Sequence, residues 1–356
     1  MAISFNAPSK SDLMQVAFAL SIAAAGGFLA NLATLPLPWM LGPMTFCLIA
    51  ALFNLPVKGP IRLRPPMIMI LGVMLGSGFR PEMMDHVAEW SVSIAMLALY
   101  VGVIGLVAYP YFRKVAGYDP VTAYFSGMPG GLNEMMIVGA VMGGDEKKIV
   151  LTHASRILIA VFIIPIWFRL VEGLDMSDRS QFGVSIVDVP LKDLAILGSC
   201  MVVGYPIAKI LNLPAKMLVG PMVASAAIHL AGITSAQPPL EIVNTAQWII
   251  GTVIGCRFVG VPPKEILRVI RIGVGSTVLM LMVTAMFAVG IGWITDLDPL
   301  MVVLAYAPGG LAEMSLVALA LGADVAFVAT HHVVRIAYVV IVAPQFFKLT
   351  GIKKQE

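Results

Sequence analysis

The chain is poor in charge. Lys, Arg, Asp and Glu make up 12% of its 356 residues, whereas 59% of the residues are hydrophobic. A soluble domain of this size needs far more polar side-chain surface to cover its core. With a mean hydropathy of +0.93, the composition excludes an ordinary soluble globule and indicates a protein embedded in a membrane.

Cysteine and histidine are also scarce. The three cysteines, Cys47, Cys200 and Cys256, lie in apolar segments without paired spacing, which argues against a disulfide framework or a zinc site. The five histidines offer too few ligands for a copper or iron oxygenase. We therefore expect no metal site, no cofactor and no enzymatic activity. The net charge of +3 is small and its basic residues lie in short loops, so we expect no nucleic-acid partner.

Long apolar runs are present instead, each of roughly the 17 to 25 residues that cross a bilayer as a helix. They indicate an all-α polytopic membrane protein with about ten spans, five in each half of the chain. Those of the first half lie near residues 13–33, 36–53, 65–79, 91–112 and 149–169.

The chain contains one unit twice. Asp119–Leu170 aligns without a gap on Asp298–Leu349, 179 residues downstream, with 18 identities in 52 positions. The identities include the blocks PGGLNEM and PGGLAEM and a downstream His-x-x-Arg in each copy. A fixed self-similarity of this kind predicts two structural repeats. We place the first repeat at 12–172, an extracytoplasmic connector at 173–190 and the second repeat at 191–350.

The charge distribution predicts that the two repeats are inverted. Five crossings in each unit turn the second copy over, whereas six would keep both copies in one orientation. With cytoplasmic N- and C-termini, five crossings place 17 of the basic residues in cytoplasmic segments and four on the other side. Six crossings would put several basic loops on the wrong side, because Lys and Arg accumulate in cytoplasmic loops.

One segment of each unit is interrupted by Pro-Gly-Gly. Proline removes a backbone donor and glycine relaxes the φ restriction, so Gly130, Gly131, Gly309 and Gly310 should mark breaks between two half-helices. Corresponding broken helices in two halves indicate a substrate site at the middle of the membrane. The alternative is a kinked but continuous span that packs closely through its glycines.

A carboxylate follows each break. Glu134 and Glu313 stand in the first turn of the second half-helix. They are candidates for coupling to H⁺ or Na⁺, because an ionisable group within a span is costly and by default functional. The alternative is a cap of the free N–H groups at the helix N-terminus.

His153 and Arg156, like His332 and Arg335, are three residues apart and share one helix face. The arginines should lie near the middle of the membrane, where we expect Glu134 or Glu313 to pair with them. The arginines are also candidates for binding an anionic substrate, since a guanidinium suits carboxylate or phosphate. The histidines either relay protons to the coupling site or serve as neutral hydrogen-bond donors.

A pseudo-symmetric site must become specialised for an asymmetric substrate. Positions that differ between the copies are therefore candidates for substrate contacts. They are Asn133 opposite Ala312, Ser126 opposite Ala305, and Tyr306 opposite Gly127.

The duplicated PGGLxEM blocks, the His-x-x-Arg pairs and the repeated L/V-G-P-M at Leu41 and Val219 resemble the AbrB family of bacterial inner-membrane proteins. The resemblance covers almost the whole chain. It implies a multi-pass protein of the bacterial inner membrane with an internal duplication. Members of the family carry labels that include ammonia monooxygenase and regulator of gene expression.

These observations favour a secondary transporter of a small organic anion, coupled to H⁺ or Na⁺, that works by alternating access around two broken helices. Among anions we rank a carboxylate above a phosphate. The other expected partner is the lipid bilayer, and a homodimer is left open. The alternatives are a membrane sensor or regulator without transport, a channel, and an oxygenase-like membrane enzyme.

Overall fold

The computed structural model describes residues 9–81, 89–171, 173 and 183–349, and its described residues form helices and connecting loops. Residues 174–182 of the expected connector at 173–190 lie outside these ranges. The first half of the chain contains α1 Lys10–Leu32, α2 Pro38–Leu52, α3 Arg64–Gly76, α4 Trp90–Lys114, α5 Pro120–Gly127, α6 Leu132–Val141 and α7 Glu146–Leu170. The second half contains α8 Leu191–Ile210, α9 Lys216–Leu230, α10 Leu240–Gly255, α11 Pro263–Ile294, α12 Pro299–Tyr306, α13 Leu311–Ala320 and α14 Val325–Leu349.

Six of these helices are long and apolar enough to cross a membrane, namely α1, α4, α7, α8, α11 and α14. The all-helical, membrane-embedded architecture expected from the composition is therefore confirmed. The helices α2 and α3 have only 15 and 13 residues, about 22 and 20 Å of helix, which is less than the ~30 Å of a hydrocarbon core. The count of ten spans thus stays a prediction.

The two halves have the same order of helices, and several equivalent helices have equal lengths. The pairs α2 and α9, α5 and α12, α6 and α13, and α7 and α14 have 15, 8, 10 and 25 residues. Repeated aspartates set some of these boundaries. Asp119 and Asp298 cap α5 and α12 by accepting hydrogen bonds from backbone N–H groups of the first turn, and a proline follows each of them.

The halves are packed into each other through short helices. The helix α3 packs against α9 of the other half, and α10 packs against α2. A Cβ on Gly72 would overlap the Leu218 carbonyl oxygen, and a Cβ on Gly251 would stand 2.6 Å from that of Met40. Small residues that let backbones approach this closely are typical of helix contacts in membranes.

Side-chain contacts identify which loops share an end of the bundle. At one end, here called the basic end, Lys58 lies 2.6 Å from Asp12 and Lys147 lies 3.4 Å from Glu265. Arg268 there donates to the Ala116 carbonyl at 3.0 Å, which places the end of α4 beside the start of α11.

At the other end, here called the connector end, Arg169 donates to the Thr34 carbonyl and Thr234 donates to Asp193. Trp90 at the start of α4 packs edge-on against Phe327 in the first turn of α14. The two ends of α4 therefore mark the two ends of the bundle.

The contact between α3 and α9 predicts that Gly72→Ala destabilises the protein. The added methyl group has a backbone carbonyl in its way, and overpacking of this kind costs about 1–3 kcal/mol. Gly290→Ala is the matched control, because nothing lies within 4 Å of the added Cβ. Thermal unfolding of the purified variants in detergent should show a lower melting temperature for Gly72→Ala only. Equal melting temperatures would contradict the close approach of the two helices.

Candidate functional site

The first Pro-Gly-Gly segment forms the tip of a helical hairpin. The helix α5 ends at Gly127, residues 128–131 are extended or turn backbone, and α6 begins at Leu132. At the base of the hairpin the backbone N–H of Asp145 donates to Thr122 Oγ1 at 2.8 Å, so α5 starts beside the point where α6 has ended. Helices of 8 and 10 residues reach about 12 to 15 Å, half the thickness of a hydrocarbon core.

The second Pro-Gly-Gly segment has the same form. The helix α12 ends at Tyr306, α13 begins at Leu311, and the two helices pack against each other. The first hairpin follows the end of α4 and has its base at the basic end. The second hairpin leads into α14, whose first turn contacts the start of α4 at the connector end. The bases of the two hairpins thus lie at opposite ends of α4.

Each buried arginine binds the tip of the hairpin in its own half. Arg156 Nη1 and Nη2 donate to the carbonyl oxygens of Met128 and Gly130 at 3.0 and 3.2 Å. These are carbonyls of the break itself, which no helical N–H group can reach. Arg156 is 2% exposed, so its guanidinium takes the place of water as the hydrogen-bond donor to these buried carbonyls.

Arg335 makes the equivalent contacts in the second half. Its Nη1 donates to the carbonyls of Ala307 and Tyr306 at 2.7 and 2.9 Å, and its Nη2 donates to that of Gly309 at 3.1 Å. The expected pairing of the arginines with Glu134 or Glu313 is therefore wrong. The guanidinium groups instead bind the carbonyls at the end of each first half-helix, where the helix dipole is negative. These carbonyls have no N–H partner within the helix and lie within hydrogen-bond distance of the arginines.

The two repeated histidines also contact the first half-helices. His153 Nε2 lies 2.9 Å from the Phe125 carbonyl, and His332 Nε2 lies 3.0 Å from the Leu304 carbonyl. Both histidines are fully buried. Their contacts match the alternative in which each is a neutral donor, and their assignment to ion coupling stays a prediction.

Some polar atoms in this region have no hydrogen-bond partner among the described residues. They include the buried Nε–H groups of Arg156 and Arg335 and the hydroxyl of Ser126. A Cβ on Gly130 would stand 3.0 Å from Val339 Cγ1, so the first hairpin tip lies beside α14, the helix that carries Arg335. Unpartnered buried donors are costly, so they are candidates for contacts with a ligand.

The two glutamates fold back over the glycines that begin their helices. A Cβ on Gly131 would overlap Glu134 Oε2, and a Cβ on Gly310 would overlap Glu313 Oε2. A side chain at either position would displace the carboxylate, so glycine leaves room for it at the N-terminus of its own half-helix, where the dipole stabilises it. Glu313 is 8% exposed and Glu134 is partly buried.

Arg64 is a residue of this region that the sequence analysis does not single out. It begins α3, which packs against α13. Its buried Nε–H has no hydrogen-bond partner among the described residues. The available signal was its departure from the repeat, since Val243 occupies the equivalent position.

Tyr306 anchors the second hairpin to α4. Its hydroxyl donates to the Ser93 carbonyl, and its own carbonyl accepts a hydrogen bond from the Tyr100 hydroxyl at 2.7 Å. The ring of Tyr306 packs edge-on against that of Tyr100. These contacts occupy the phenol group, while Asn133 in the first turn of α6 stays partly exposed.

The carbonyl contacts predict that Arg156→Lys destabilises the protein. A single ammonium group lacks the planar fork that reaches two carbonyls, so at least one buried acceptor loses its partner, at about 1–3 kcal/mol. Arg169→Lys on the same helix is the matched control, because Arg169 is exposed. The melting temperature in detergent should fall for Arg156→Lys well below that of the control. Equal values for the two variants would mean that the arginine does not support the hairpin tip.

Known proteins share this chain's sequence pattern. The family described as "Transition state regulatory protein AbrB" matches residues 39–351. A relative in Bacillus subtilis (strain 168), "Uncharacterized protein YhjN", is 24% identical and the alignment covers 95% of this chain and 94% of the relative. "Putative regulator AbrB" of Escherichia coli (strain K12) is 23% identical, with 91% and 92% covered. Because the family match covers most of the chain, the protein belongs to the AbrB family, as its duplicated motifs predicted.

Proposed function

We propose that the protein is a secondary transporter of a small organic anion, driven by H⁺ or Na⁺, in the bacterial inner membrane. The observation that carries the proposal is the pair of helical hairpins, each with a buried arginine bound to the carbonyls of its tip. Broken helices at this depth supply what a transport site needs, namely helix N-termini for anions and free carbonyls for cations. We propose transport and no covalent chemistry.

Alternating access follows if the two halves are inverted repeats, with N- and C-termini in the cytoplasm. Two observations support this arrangement. The bases of the two hairpins lie at opposite ends of α4, and α3 packs against α9 of the second half while α10 packs against α2 of the first. Each hairpin would then open toward a different side of the membrane. The basic end, with Lys58 and Lys147, would be cytoplasmic.

The anion would bind at the hairpin tips. The Nε–H groups of Arg156 and Arg335, the hydroxyl of Ser126 and the start of α6 at Asn133 offer donors to it. The Nη groups of both arginines are already engaged with carbonyls. This leaves room for a ligand with few acceptor atoms, which favours a carboxylate over a phosphate.

Glu134 and Glu313 would couple transport to a cation. Each carboxylate occupies the N-terminus of a half-helix, the same place that an anionic substrate would seek. Neutralising a carboxylate with H⁺ or Na⁺ removes this competition. Cation binding and anion binding would then favour each other.

The coupling assignment predicts that Glu134→Gln and Glu313→Gln abolish cation-driven uptake. An amide cannot take up H⁺ and is a weaker ligand for Na⁺ than a carboxylate. Thermal-shift screening of carboxylates and phosphates identifies a substrate, and uptake is then measured in proteoliposomes with an imposed H⁺ or Na⁺ gradient. Glu265→Gln, at the basic end, is the control and should retain uptake. Unchanged uptake and ion dependence in the two site variants would show the assignment to be wrong.

The inverted arrangement predicts that Lys147→Cys and Asp296→Cys react with a membrane-impermeant maleimide from opposite sides. Both positions are exposed and lie near the bases of the first and second hairpins. The parent protein with its three native cysteines gives the background, and Cys47 and Cys200 are buried. Labelling of both positions from the same side of the membrane, in intact cells or in inverted vesicles, would show that the two repeats have the same orientation.

A second candidate is a membrane-bound regulator of gene expression, which the names of the family and of the Escherichia coli relative suggest. A regulator without transport would bind its ligand yet show no gradient-driven uptake. A change in transcript levels on deletion that is reversed by expressing Glu134→Gln, a variant without uptake, would favour it.

A further inference from the structure

We propose that an apolar cavity between α4, α14 and the first hairpin binds an acyl chain of an anionic membrane phospholipid. The inference rests on the embedding of the chain in a membrane, which its six long apolar helices indicate, and it does not depend on transport. A lipid at this place would be a structural ligand of the first hairpin.

The cavity has a volume of about 370 Å³ and lies against the first hairpin. Its floor is buried and consists of Tyr124 and Met128 of the hairpin together with Val339 and Ala343 of α14. The Tyr124 hydroxyl is already engaged, because it donates to the Ala343 carbonyl at 2.9 Å. Among the described residues no charged side chain lines the cavity, which favours an apolar occupant.

The mouth of the cavity opens on the surface that faces the bilayer. It is bordered by Gly102 and Leu106 of α4 and by Phe346 of α14, which are all exposed. Both helices are long and apolar enough to span a membrane. Leu99 and Leu106, which are 56% and 73% exposed, extend the same apolar face along α4. The mouth is therefore continuous with a surface that lipid chains cover, and an acyl chain is the occupant that the bilayer supplies there.

Two glycines of α4 create the space. A Cβ on Gly102 would have nothing within 4 Å, and a Cβ on Gly105 would stand 2.8 Å from Met128 Cε. At the repeat offset of 179 residues, Leu281 and Thr284 take their places in α11. The second half thus has larger side chains at the positions where the first half has the cavity, so the two halves have diverged at this place.

Basic residues offer a place for the headgroup. The helices α4 and α14 both begin at the connector end, so both end at the basic end. Gly102 is the thirteenth of the 25 residues of α4, and Tyr109 extends the cavity from there toward the basic end. Lys114 ends α4 about 8 Å beyond Tyr109, and Lys348 is in the last turn of α14. Both lysines are exposed, and basic residues at the membrane surface attract anionic headgroups.

A bound chain would fill the gap between the first hairpin and the two spanning helices. It would contact the side chain of Met128, whose carbonyl accepts a hydrogen bond from Arg156 at 3.0 Å. Atoms that line an empty space lack van der Waals partners on that side, and a ligand restores them. The lipid would therefore stabilise the tip of the first hairpin in its contact with α4 and α14.

The test is the melting temperature of the purified, delipidated protein in detergent, with added dioleoylphosphatidylglycerol, which is anionic, or dioleoylphosphatidylcholine, which is zwitterionic. A ligand of the native state raises stability, so the parent should show a larger rise with phosphatidylglycerol. Gly102→Leu, which introduces the side chain of the repeat equivalent, should lose the rise because its side chain occupies the mouth. Gly290→Leu is the matched control, since a Cβ there also has nothing within 4 Å, and it should retain the rise.

The headgroup is tested by the double variant Lys114→Gln/Lys348→Gln. It should keep a rise with either lipid and lose the difference between them. Native mass spectrometry gives a second readout, because bound phosphatidylglycerol should be several-fold less abundant on Gly102→Leu than on the parent. Melting curves without lipid establish that each variant is folded.

An equal rise in the parent and in a folded Gly102→Leu overturns the lipid site. An equal rise with both lipids in the parent overturns the anionic headgroup. A dimer of the parent that Gly102→Leu dissociates assigns the cavity to a second copy of the chain and overturns the inference too. None of these results depends on uptake, so a failure of the proposed transport leaves the lipid site standing.

Discussion

Backbone carbonyls at the end of a helix inside a membrane have no water with which to form hydrogen bonds. In this protein two guanidinium groups replace that water, and the same donor atoms contact equivalent carbonyls in both halves. The hairpins could not end halfway through the bundle without these bonds. The conformation of each tip, and so the position of the glutamate that follows it, depends on Arg156 in the first half and on Arg335 in the second.

The sequence was sufficient for the helices and for the breaks. Apolar runs and Pro-Gly-Gly act locally, so they predict helices and their interruptions without knowledge of the fold. The partners of Arg156 were not accessible in this way. A charge count suggests glutamate as the partner of a buried arginine, whereas only the folded hairpin shows that backbone carbonyls lie nearer.

The two copies of the duplicated unit differ in the contacts that their hairpins make with α4. Tyr306 ties the second hairpin to Ser93 and Tyr100 of α4, while its equivalent in the first hairpin is Gly127, which packs closely against Ala108. The second hairpin thus forms hydrogen bonds with α4, whereas Tyr124 of the first hairpin donates to the Ala343 carbonyl of α14 at 2.9 Å. If one hairpin moves during a transport cycle, the first has fewer hydrogen bonds to α4 to break.

The spacing between each tip and its arginine also bears on biosynthesis. Met128 and Gly130 precede Arg156 by 28 and 26 residues, so the tip of the first hairpin leaves the ribosome before the side chain that completes it. Until α7 follows, the carbonyls of the tip lack the hydrogen bonds from Arg156, and their burial in lipid would be unfavourable. If the hairpins lie in the bilayer as proposed, membrane insertion of α5 and α6 would be complete only once α7 has followed.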